Sequence, residues 1–132
     1  MIRQSLTLIL VLSLISFIHS QPSPAETFNR MCETSLKAIK AGTFEKSIKE
    51  RQECREKAVP KDVLAAAAKC EEAMPMVTID QVNKVCNAKD ANLAKFTEVL
   101  GCFDKAIGGE YADKFSDCCK FMDPENAAKR SK

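Results

Sequence analysis

Seven cysteines and a single histidine carry most of the chemistry open to this 132-residue sequence. The histidine, His19, follows an apolar run, Leu6 to Ile18, that begins after the lone basic residue Arg3. Such a run is short of the ~20 residues a membrane span needs. With Ile18 and Ser20 at the −3 and −1 positions, it predicts a cleaved secretory signal over residues 1–20. His19 then leaves with the signal, and Gln21–Lys132 contains no imidazole. That removes Ser-His and Cys-His nucleophile activation and the commonest nitrogen ligand of zinc or copper. The expectation is a non-enzymatic protein with no catalytic residue, no metal ligand and no cofactor.

Cys32, Cys54, Cys70, Cys86, Cys102, Cys118 and Cys119 all lie beyond the signal. In a small secreted chain they read as a disulfide framework rather than a metal site, because no two sit at Cys-x-x-Cys spacing. Three bridges leave one thiol over, and the possible pairings number on the order of a hundred. Cys118 and Cys119 diverge by about 100° on a helix, so they face different partners. Cys118 shares a stripe with Tyr111, Phe115 and Met122 and is expected to be buried. Cys119 lies at the edge of that face and is the candidate unpaired or intermolecular thiol. The other six form the expected framework.

The acidic pairs Glu71-Glu72 and Glu53/Glu56 fall on charged helical faces and are expected to be solvated. No glycine-rich phosphate loop and no Asn-x-Ser/Thr sequon occurs. Basic and acidic residues number 20 and 18 and are interleaved; losing Arg3 takes the formal charge from +2 to +1. No clustered basic face speaks for nucleic acid.

The elements that must hold the cysteines are helices, and nothing reads as a strand. Ser23-Pro24-Ala25-Glu26 predicts a capped start, with Phe28, Met31, Cys32, Leu36 and Ile39 on one face and Gly42 as the stop. From Thr43 to Ala58, nine of the thirteen residues between Glu45 and Lys57 are charged. This helix is expected to lie outermost, giving only Phe44, Ile48 and Cys54 to a core. After Pro60 a third helix runs to Met74, its Ala65–Ala68 run suiting close helix approach. Thr78-Ile79-Asp80-Gln81 is a capping box for a short fourth helix. Asp90 is the expected cap of a fifth, striped by Leu93, Phe96, Leu100, Phe103 and Ile107 and closed by Gly108-Gly109. Gly101 is expected to mark close backbone packing. A sixth helix covers Glu110–Met122, one further turn starts at Asp123-Pro124, and residues 124–132 form a loose tail.

The architecture expected is therefore all-α: one domain, residues 21–132, a compact bundle of five to six short helices cross-linked by disulfides. Cys54, Cys70, Cys86, Cys102 and Cys118 recur every 16 residues, which puts about one cysteine on each helical arm.

Glu53-Cys54-Arg55-Glu56-Lys57-Ala58-Val59-Pro60-Lys61-Asp62-Val63-Leu64, continuing through Ala65–Lys69 to Cys70, resembles the second helical hairpin of the microplusin-like proteins of ticks and spiders. In both, a charged helix ends near a cysteine, an x-Pro turn follows, and a helix leads to the next cysteine. That family is helical, disulfide-bonded and antimicrobial, with copper held by histidines. The resemblance implies an arthropod-type secreted helical fold. Copper does not carry over, because those histidines have no counterpart here. The close cysteine pairs of arthropod odorant-binding proteins are also missing.

The function expected is that of a secreted effector of the venom or defence kind, extracellular, binding a protein or membrane target. The alternatives are a carrier of a small apolar ligand, whose site the Met and Phe stripes would line, and an assembly protein linked through the odd cysteine. The protein is accordingly expected as a monomer or a disulfide-linked dimer.

Overall fold

The computed structural model describes residues 22–126. The signal segment expected over residues 1–20, together with residue 21, and the part of the expected tail beyond Asn126 lie outside the described residues. Five α-helices and one 3-10 helix follow in order: α1 (Pro24–Ala41), α2 (Phe44–Ala58), α3 (Lys61–Glu72), α4 (Ile79–Cys86), α5 (Lys89–Asp117) and the 3-10 helix (Cys118–Met122). No strand occurs among the described residues. None of these helices is long and apolar enough to cross a membrane.

Local chemistry sets most of the boundaries. Ser23 Oγ accepts the Glu26 N–H at 3.2 Å to open α1. Gly42, at φ 75°, closes α1 in the left-handed conformation that glycine adopts freely. Thr78 and Gln81 form the full reciprocal capping box of α4. Asp123 Oδ1 accepts the Glu125 N–H at 3.0 Å and starts a last turn.

Three local expectations are corrected. Ala88, not Asp90, is the N-cap of α5. Asp90 sits in the first turn, where its charge suits the helix dipole, and Asn92 Nδ2 bonds Val85 O at 3.2 Å across the junction. Gly101 marks no close approach, since a Cβ there meets nothing within 4 Å. Leu36 is exposed, and the buried row of α1 is Phe28, Cys32, Ser35 and Ala38.

Helix α5 contains one break. Gly108 adopts φ 63° and ψ 165°, outside helical space, so an arm from Lys89 and an arm ending at Asp117 meet at an angle. Each arm buries its own stripe. The first presents Phe96 and Val99 to a core with Phe28, Met74, Val82, Val85 and Met122. Phe28 and Phe96 stack there, with ring centroids 4.4 Å apart. Around the break, Ile107 and Phe115 join Val59 and Ala67 in a second cluster. Ala67, from the alanine run, is buried in this cluster with Ile107 and Phe115 of α5.

Three disulfides cross-link this frame: Cys32–Cys86 joins α1 to α4, Cys54–Cys118 joins α2 to the 3-10 helix, and Cys70–Cys102 joins α3 to α5. Each of the six elements supplies one bridging cysteine, and from Cys54 to Cys118 the 16-residue spacing puts one on each successive element. Formed bridges of this density belong to an oxidising compartment.

Candidate functional site

Helix α2 positions the polar groups of greatest interest. Its sequence is mostly charged, yet it does not lie outermost with a solvated outer surface alone. Phe44, Ser47 and Arg55 are buried and Arg51 is half-buried, so a row at i, i+3, i+7 and i+11 faces the molecule. Two arginines thus occupy helical positions that ordinarily take apolar side chains. Cys54 and Ile48 flank this row and are half-buried. The Cys54–Cys118 bridge clamps the 3-10 helix against α2.

Arg55 is only 6% exposed. Its Nη1 donates to Glu71 Oε1 of α3 at 2.9 Å. The guanidinium also lies over the Phe115 ring, 4.0 Å from the centroid, a contact worth about 2 kcal/mol when desolvated. Glu71 is therefore not one of a solvated pair, whereas Glu72, Glu53 and Glu56 are exposed. Gln52 and Glu56 are joined on the outer face at 3.4 Å.

One turn before Arg55, Arg51 is held below the ordinary arginine value, first by burial and then by the Arg55 charge; Cys119 and Glu71 act in the opposite sense. The Nε atoms of both arginines and Ser47 Oγ are enclosed without a hydrogen-bond partner. Beside Arg55 lies a cleft of ≈ 40 Å³, lined in part by Gln52, Glu71, Phe115 and Leu64. A wider, open groove of ≈ 440 Å³ runs along Glu50, Cys54, Lys57 and Phe121.

Among the cysteines, Cys118 is fully buried and Cys119 is exposed and unpaired. A 3-10 helix separates neighbouring side chains by about 120°, so adjacent cysteines diverge even more than on an α-helix. No group of three or more His, Cys, Asp or Glu among the described residues is placed to hold a metal ion.

The arginine row escaped the reading of α2 as an outer helix, which weighed only its apolar residues. The spacing of Phe44, Ile48, Arg51 and Arg55 is itself the helical signal that could have found it.

Comparison with protein-family models, curated proteins and solved structures finds no match to this chain.

Proposed function

We propose that this protein is a secreted, non-enzymatic effector of the venom or defence kind that acts by binding a protein or membrane target. The observation that carries this reading is the covalent frame, in which three bridges tie the six helical elements in pairs. A frame of that kind holds a small surface in one conformation in an extracellular medium and lowers the ordering cost of binding. The signal-like leader and the absence of an imidazole from Gln21 onward support the same reading, as does the local resemblance to microplusin-like antimicrobial proteins.

The test is to apply the oxidised protein, beginning at Gln21, to bacterial and animal cells and to channel-expressing membranes. Activity lost on reduction supports the proposal; inertness across all of them sinks it.

A second reading, assembly through the odd cysteine, is favoured by the exposed Cys119 thiol. Non-reducing mass spectrometry separates the two: a reducible dimer supports assembly, and a monomer supports a solitary effector. The carrier reading draws less support, since Phe28, Phe96, Met74 and Met122 fill the core against one another. Saturable uptake of a fluorescent lipid probe would restore it.

A further inference from the structure

The start of α1 faces solvent. Pro22, Ser23 and Pro24 are exposed. The hydrogen bonds of Ser23 are local: its Oγ accepts the Glu26 N–H at 3.2 Å, and its carbonyl accepts the Thr27 N–H at 3.0 Å. Cleavage after Ser20, as the leader predicts, makes Gln21 the first residue, two positions before this cap.

A terminal glutamine holds a nucleophile and an electrophile in one residue. Its α-amine and its side-chain amide carbon close a five-membered ring, an intramolecular step that needs no encounter. An α-amine ordinarily titrates near pH ~8, so part of the population is unprotonated and nucleophilic at neutral pH. The protonated amine would stand close to the positive end of the α1 dipole, where a cation is unfavourable. Glu26, in the first turn, carries the charge that suits this end.

We propose that Gln21 is a modification site and that the mature chain begins with pyroglutamate. The α-amino nitrogen attacks the side-chain Cδ, the Cδ–Nε2 bond breaks, and Nε2 leaves as ammonia with a proton from the amine. Nothing is oxidised or reduced, and no co-reactant is consumed. The product offers no free amine to an aminopeptidase at an exposed end. It also removes the adverse charge beside α1 while leaving both Ser23 bonds in place. This goes beyond target binding and rests on the secretory reading of residues 1–20.

The experiment is tryptic mapping of the protein secreted by a eukaryotic host that expresses the full chain. Arg30 is the first basic residue after the leader, so trypsin releases residues 21–30. A synthetic Gln21–Arg30 peptide carried through the same digest measures cyclisation during handling. The expected product is a 21–30 peptide lighter by one ammonia than the synthetic peptide and closed to Edman degradation. A 21–30 peptide of full mass with a reactive amine overturns the proposal and leaves the secretory reading standing. A chain that begins at any other residue overturns both.

Hydrogen exchange tests the effect on α1. The oxidised protein with a free Gln21 amine is compared with its cyclised form at low ionic strength. Exchange of the Glu26 and Thr27 amides is expected to be about twofold slower in the cyclised form. Equal rates overturn the claim that losing the charge favours the helix.

Discussion

Arg51 and Arg55 differ in what the fold returns for their burial. Arg55 loses water but gains a carboxylate at 2.9 Å and an aromatic face. Arg51 gains no acceptor for its Nε, and Cys119 and Glu71 offset its burial and the Arg55 charge only in part. Its value in the folded state lies below the unfolded one, so its charged form is the one that folding disfavours. The sign follows: the guanidinium stays protonated at neutral pH, and there its charge opposes folding. Arg51→Met is therefore expected to stabilise the oxidised protein by about 1 kcal/mol in urea unfolding, and a loss of stability would contradict that account. Glu71→Ala should act in the other direction, by about 2 kcal/mol, because it strands the Arg55 guanidinium.

At the scale of elements, the break in α5 turns on one glycine of an adjacent pair. Gly108 holds a backbone conformation that is essentially restricted to glycine, whereas Gly109 has no positive φ. A Cβ at either position meets nothing within 4 Å, so the backbone alone decides the sign. Gly108→Ala is expected to destabilise by about 1–3 kcal/mol. Gly109→Ala should instead stabilise by about 0.5–1 kcal/mol, through helix propensity. Thermal unfolding of the two variants checks both signs together. The Gly108-Gly109 pair was visible as a helix stop; that the chain resumes helical geometry at once, at an angle, follows from packing. Both arms have apolar stripes to bury, and Phe103 and Phe115, one from each side of the break, lie with ring centroids 5.7 Å apart.

On the scale of the whole molecule, the bridges span sequence separations of 54, 64 and 32 residues. Each is expected to contribute about 2–5 kcal/mol, against a total of about 5–15 kcal/mol for a domain of this kind. Reduction of all three should therefore unfold the protein at 37 °C, read as loss of the helical circular dichroism signal in dithiothreitol. Because closure entropy grows slowly with loop length, C70S/C102S should be milder than C54S/C118S by about 0.6 kcal/mol. Alkylation without reduction, followed by peptide mapping, is expected to label Cys119 alone, and label on any other cysteine would contradict the pairing described.

The helical class, the Gly42 stop, the Thr78–Gln81 box and the burial of Cys118 were legible in the sequence, because each depends on residues within a few positions of one another. Hydrophobic period, cap chemistry and glycine conformation act locally and need no knowledge of what lies across the fold. The partner of each cysteine, the groups that meet Arg55, and the exposure of Gly101 and Leu36 were decided by tertiary structure alone. A cysteine carries no mark of its mate, and Arg55 is buried with its charge met only because two other helices bring a carboxylate and an aromatic ring to it. Glu71 and Phe115 come from α3 and α5, 16 and 60 positions from Arg55 along the chain, and only packing brings them within 4.0 Å.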